Sequence, residues 1–248
     1  MSSLIADTGT VFSRELRPVL RNPLSVIFSM AQPLVFLALF APLLPDTGTG
    51  SALRWFVPGI VVMSCMFGAS MTGSNLLFEI QTGAHERMLV TPLRRPALLV
   101  GRALKEIVPM VLQAALIVLV SLPFGFELHL GGALLGMGIL AVFCVGLGAL
   151  SYTLALASKE QEWLFWTVQQ TLLFPLLLLA GVLLPIDDGP AWLRTLAAGN
   201  PLRYVVDAER ALFAGDVWAA TTVSGLIAAA AVAALGLIVG VRAMRSSA

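Results

Sequence analysis

Charge is scarce in this chain. Of 248 residues only 12% are Asp, Glu, Lys or Arg, against about 25% in an ordinary soluble domain. With 58% hydrophobic residues and a mean hydropathy of +0.91, this excludes a water-soluble globular enzyme domain, which could not absorb so much apolar surface. The two cysteines, Cys65 and Cys144, lie in apolar runs with no CxxC and no nearby histidine, so they read as buried apolar side chains and metal ligation is not expected. The histidines are also two, His85 and His129, and no HExxH, GxSxG or serine-histidine-acid arrangement lies at membrane depth, which argues against an intramembrane hydrolase. No GxxxxGK[ST] loop occurs, so the chain itself cannot cradle ATP phosphates. Net charge is only +1 and no basic patch is interleaved with aromatics, so nucleic acid is not a partner. No short apolar stretch of secretory-signal type follows Met1. The middle of each long apolar run also lacks charge, whereas ion-coupled carriers commonly need acids or bases there, so energy has to come from elsewhere.

What is present is a series of long apolar runs, each able to cross a hydrocarbon core of about 30 Å as roughly 20 helical residues. Their continuity, without strand-like alternation, makes them helices rather than barrel strands. The expected fold is an all-α membrane protein with six transmembrane helices over about residues 24–44, 56–78, 107–126, 132–157, 164–185 and 218–241, forming one domain over 1–248. An even count puts both termini on one side. Eleven of the 15 Lys and Arg residues fall on the terminal side of that layout and four on the other, so the positive-inside rule makes the termini cytoplasmic. Before the first run, Phe12, Leu16, Val19 and Leu20 share one helical face while Arg14, Arg17 and Arg21 share another. This reads either as a helix lying in the interface, kinked by Pro18, or as one packed on neighbouring spans.

Two polar segments carry information. In the first, Glu79 to Arg95, a short polar helix must end before Pro92; it is either a lever between two spans or a solvated loop with its arginines. The second, Pro185 to Phe213, reads as two short helices, one begun at Asp188 and Pro190 and ended at Gly199, the other capped by Asn200 with Pro201 in its first turn. On the latter, Leu202, Val205, Val206 and Phe213 form an apolar stripe, and Arg203, Asp207 and Arg210 are spaced for a ladder of weak ion pairs. Within the spans, Ser64, Gly68, Met71, Thr72 and Asn75 share one helical face, and Thr167, Gln170, Thr171 and Phe174 another, beside Pro175. Such faces line a pathway or pack helices, and small or amide residues serve both.

Glu79 to Pro92, Leu99-Val-Gly-Arg102, Pro175, Gly181, Pro185, Trp192-Leu193 and Asn200-Pro-Leu-Arg-Tyr204 together resemble the permease subunit of ABC-2 type exporters, nearest to the daunorubicin/doxorubicin-resistance-like drug exporters. The likeness covers nearly the whole chain. It implies a permease subunit that dimerises, most simply with an identical copy, and sits on two copies of a separate nucleotide-binding subunit carrying ATP and Mg, with no cofactor in this chain. It further implies that Gly83 to Leu89 is a coupling helix on the ATPase, with Glu79, Gly83, His85, Glu86, Arg87, Leu89 and Pro92 as coupling residues. Phe12, Arg14, Leu16, Arg17 and Arg21 then belong to the interfacial helix, and Pro185, Trp192, Asn200, Pro201, Tyr204, Asp207 and Arg210 to a cap of two short extracellular helices between spans five and six. The chain departs from longer relatives in having only about ten residues between spans one and two, and in lacking the acidic partner or second arginine often found near Glu79. Neutral faces with Met and Phe point to a lipophilic or amphipathic cargo, drug-like or lipid, moved out of the cytoplasm or inner leaflet of the plasma membrane. The other readings are a lipid-linked glycan or polysaccharide exporter and a non-transporting immunity or scaffold protein.

Overall fold

The computed structural model describes residues 4–21, 24, 28–40, 43, 52–91 and 93–246. Eleven helices are named here: α1 (Leu4–Arg21), α2 (Ala31–Phe40), α3 (Ala52–Gln81), α4 (Ala84–Leu89), α5 (Arg95–Lys105), α6 (Ile107–Ser121), α7 (Leu130–Ala157), α8 (Glu162–Leu179), α9 (Ala191–Ala198), α10 (Pro201–Phe213) and α11 (Ala220–Ser246). There is no strand among the described residues. Four stretches are long and apolar enough to cross a membrane: Ala52–Gln81, Arg95–Phe124, Leu130–Ala157 and Ala220–Met244. This is a multi-pass, all-helical protein.

The other two expected spans look different. Of residues 24–44, the described part contains the ten-residue α2; the rest lies outside the described residues. The expected span over 164–185 is the 18-residue α8. It stops at Leu179 because Gly181 adopts a left-handed φ of 70°, which breaks the helical backbone at little steric cost for glycine. Glu162, Gln169 and Gln170 also make α8 less apolar than the four long stretches.

α3 is the central element, with Phe56, Val57, Ile60, Val61, Val62, Met63 and Met66 all buried. Its 30 residues measure about 45 Å, more than the thickness of a bilayer core. α7 packs on α3 and most extensively on α11. Small residues permit the second crossing: a Cβ on Gly146 would meet the Ala233 backbone at 2.6 Å, and Gly236 lies against Gly146 in turn. With no hydrophobic force between helices in lipid, close backbone approach supplies the van der Waals contact. α10 enters the bundle in the same way, over Gly132 and Gly136 of α7.

The chain's N-terminal helix packs as well as presenting a free face. α1 lies along α5, where a Cβ on Gly101 would come within 2.8 Å of Val11. The face that packs contains Asp7 and Val11, both buried. Phe12, Leu16 and Val19 are only half-buried and Leu20 is exposed, leaving an apolar edge uncovered. The helix continues through Pro18.

Candidate functional site

Three places in the fold gather the polar residues singled out from the sequence. The first is the end of the bundle that carries α1, α4 and α5. α3 runs through Glu79 to Gln81, so Glu79 stands on the last turns of a long helix rather than in the following loop. Gly83, at φ 67°, turns the chain, and α4 follows. Within α4, His85 and Met88 are buried whereas Glu86 and Arg87 are exposed. Arg87 folds back, donating to the Gly83 and Thr82 carbonyls at 3.3 Å each. Burial disfavours the imidazolium of His85, and the positive Arg102 adds to this, lowering its pKa to about 4, so His85 is neutral at physiological pH. α4 ends at Leu89 with Val90 as C-cap, ahead of Pro92, which lies outside the described residues.

Behind α4 sits Arg102, 4% exposed, the residue on which this end converges. It is ion-paired to Glu79 and lies 3.6 Å from Glu15 of α1. One amino group reaches Met88 Sδ at 3.8 Å, and the guanidinium stands 5.6 Å from the centroid of the Tyr152 ring on α7. Arg14 also contacts the Met88 sulfur. Thus α1, α3, α4, α5 and α7 meet at one buried guanidinium. The counter-charge that Glu79 lacks in its own neighbourhood comes from 23 residues downstream. Glu15, Met88 and Tyr152 were not legible as site residues from sequence, because no spacing rule joins them. Arg102 was present in the Leu99 to Arg102 motif, and the signal there was its position after Gly101, which lets α1 close over α5.

The second place is the opposite end, where α9 and α10 sit. Asn200 caps α10, its side-chain oxygen accepting from Leu202 N at 3.0 Å, while its amide donates to the Leu176 carbonyl of α8 at 2.7 Å. Tyr204 donates to the Ala198 carbonyl at 2.7 Å, tying α10 to α9. The ladder foreseen on α10 exists: Asp207 lies 3.7 Å from both Arg203 and Arg210, and Arg203 also pairs with Asp187 at 2.7 Å. Arg210 does more. It donates to the Trp55 carbonyl at 3.1 Å and to the Gly181 carbonyl at 2.7 Å, and its guanidinium lies 3.9 Å from the centroid of the Trp55 ring. Those contacts pin the N-terminal end of α3 to the end of α8. Burial lowers the Arg210 pKa to about 10, which leaves it charged. Pro185 and Trp192 are exposed and Pro201 half-buried; Leu202, Val205, Val206 and Phe213 are buried as the stripe required.

The third place is the exposed edge formed by α3 and α8. Met71 and Asn75 of α3, and Thr167, Gln170, Thr171 and Phe174 of α8, are exposed; Gly68 is half-buried. Ser64 and Thr72 turn inward instead. Ser64 donates to the Ile60 carbonyl at 2.9 Å, and Thr72 to Glu106 at 3.3 Å, because their helix faces point at α6 and α7. Glu106 is in turn paired with Lys105 at 2.8 Å, both nearly buried.

One expectation needs correcting. The spans are expected to carry no charge in their middles, but the stretch Arg95–Phe124 contains Arg102, Lys105 and Glu106, and a further acid reaches the bundle interior from α10. Glu209 is fully buried and its carboxylate packs against Gly136, six residues, or about 9 Å, along α7 from its first residue. Neither oxygen has a hydrogen-bond partner among the described residues. Burial alone pushes its pKa up to about 8, so the neutral acid predominates at pH 7. Reading spans one at a time misses it, because the residue belongs to a short helix that dips inward.

Among known proteins, the family model for ABC-2 type transporters matches residues 7–214. A daunorubicin resistance ABC transporter permease protein of Streptomyces coeruleorubidus is 26% identical over 219 residues, covering 86% of this chain and 77% of that protein. A protein of Cyanophora paradoxa named as a transport permease is 29% identical over 206 residues, covering 80% and 71%. A probable multidrug ABC transporter permease of Escherichia coli K12 is 25% identical over 169 residues, covering 66% and 45%. The resemblance carried by Glu79 to Pro92 and Asn200 to Tyr204 therefore extends over most of the molecule, and the chain belongs to the ABC-2 type transporter family as a membrane-embedded permease.

Proposed function

We propose that this chain is the transmembrane subunit of an ATP-driven exporter that moves a lipophilic or amphipathic compound out of the cytoplasm or inner leaflet. In this reading six helices cross the plasma membrane, α2 and α8 with the four long ones, and both termini and α4 are cytoplasmic. Two permease copies meet along the α3–α8 edge, above two copies of a separate nucleotide-binding subunit that holds ATP and Mg. The sequence supports that division of labour by lacking a phosphate loop.

The observation that carries the reading is the way α4 is held. Its exposed Glu86 and Arg87 are available to a partner, while its buried Met88 is gripped by Arg14 and by Arg102, the latter ion-paired to Glu79 on α3. A push on α4 is therefore delivered to the long helix at the proposed dimer edge. ATP-driven closure of the partner subunits biases two packed arrangements of the permease, with α4 as the contact that differs between them. At the outer end, the Arg210 contacts to α3 and α8 are what such a motion has to rearrange.

The test is co-purification of the tagged chain in mild detergent, followed by an ATPase assay. A soluble subunit bearing a phosphate loop should come with it. Glu86→Ala with Arg87→Ala should leave membrane insertion intact and reduce transport-coupled ATPase activity about tenfold or more, the loss expected for one or two interface charge contacts. Full activity in that variant would remove α4 from its assigned role.

A further inference from the structure

Beside α4 is a cavity of about 150 Å³ lined by Ile80, His85, Glu86, Arg95, Leu156, Lys159 and Met244. Two features of it are unused by the proposed transport role. The apolar part of its wall comes from the ends of three membrane-crossing stretches, through Ile80 of α3, Leu156 of α7 and Met244 of α11. Its polar part combines two cations, Arg95 and Lys159, with one acid, Glu86. His85 is 6% exposed, and its Nδ1 is buried with no hydrogen-bond partner among the described residues.

We infer that this cavity binds the phosphate of an anionic phospholipid of the leaflet facing α4, with Arg95 and Lys159 pairing the phosphate and Ile80, Leu156 and Met244 receiving the first acyl carbons. The chemistry fits each part. Arginine and lysine are the side chains that recognise phosphate. Basic pockets between membrane helices at the bilayer surface are where anionic headgroups bind. The two cations outnumber Glu86, so the site attracts an anion. Lysine 159 is exposed and reachable from the headgroup layer. This rests on the orientation proposed above, but the ligand's occupancy does not require the ATPase subunit.

The experiment uses the purified chain alone in detergent, titrated with dioleoyl phosphatidylglycerol or phosphatidylcholine and read by native mass spectrometry. Phosphatidylglycerol should be retained as one tight adduct per chain and phosphatidylcholine much less. Arg95→Gln with Lys159→Gln should weaken that adduct about 25-fold, since each basic residue at an anionic surface is worth roughly a factor of five. Arg94→Gln with Arg242→Gln, which removes the same charge at the same end but outside the cavity, should leave it unchanged. Lys159→Gln alone, at an exposed position, gives a partial loss with no risk to folding. Equal weakening by the two double variants would overturn the proposal, because the attraction would then be general. Displacement by millimolar inorganic phosphate as complete as by lipid would also overturn it, in favour of a free anion. Loss of the adduct on adding the ATPase subunit would reassign the cavity to the protein interface. Since the titration of the chain alone contains no ATPase, a negative result there leaves the transporter reading standing, and absence of a co-purifying ATPase leaves lipid binding standing.

Discussion

At the scale of single residues, burial without pairing sets the chemistry of Glu209. Its carboxyl has an ordinary value of 4.5 and a folded value of about 8. Between those two pH values the folded protein holds a proton that the unfolded chain has released, so stability is highest at the acid side and falls as pH rises through about 8. Glu209→Gln keeps the shape and the neutral state. It should flatten the pH dependence of the thermal midpoint between pH 5 and about 8 and raise the midpoint at the alkaline end. A wild-type midpoint that does not fall over that range, or a variant with the same slope, would show that Glu209 is not neutral in the folded protein. The same carboxyl shows what patterning cannot supply. Its neighbours in sequence, Ala208 and Arg210, say nothing of Gly136, which is 73 positions earlier and meets it only through helix packing.

At the scale of elements, α4 and α5 work as one piece because Arg102 is shared. Removing one partner of a buried ion pair is far more costly than the pair's net contribution, about 3 to 5 kcal/mol. Arg102→Leu leaves Glu79 without its ion-pair partner and Glu15 with only Arg14, 3.7 Å away, and should lower the thermal midpoint in detergent sharply. Arg102→Lys keeps the charge but not the planar fork, and should fall between. If both variants melt like the wild type, the guanidinium does not hold these helices together. Caps and breaks at this scale were readable in the sequence: Asn200-Pro201 opens α10, and Pro190 and Gly199 flank α9. Each rests on a local conformational preference that neighbours three or four residues away do not alter. The end of α8 was not readable, because Gly181 halts it six residues short of the expected 185 while its surroundings remain apolar.

At the scale of the whole molecule, the α3–α8 edge presents residues that a lone copy leaves uncovered. Met71 is 45% exposed, Phe78 66% and Phe174 47%. Lipid or a second copy covers them. Cys65 and Cys144 are both buried, so a single introduced thiol can report on that edge. Met71→Cys should form a disulfide-linked dimer on mild oxidation in membranes, whereas Leu134→Cys, on the outward face of α7, should not. Cross-linking at Leu134 with none at Met71 would move the dimer interface away from α3.

The sequence by itself determined that this is a helical membrane protein, where the ends of α9 and α10 fall, and which family it belongs to. Those properties follow from the length of uncharged runs and from local backbone preferences, both written along the chain. Only the tertiary structure decided which polar groups meet. Arg102 finds Glu79 and Glu15, Arg210 clasps the ends of α3 and α8, Thr72 turns from the exposed edge to Glu106, and Glu209 comes to rest on Gly136. The reason is geometric. Which side chains touch across two helices depends on their rotation, crossing and depth, and these are set by the close approach that the glycines of α5 and α7 permit, not by any spacing within one segment.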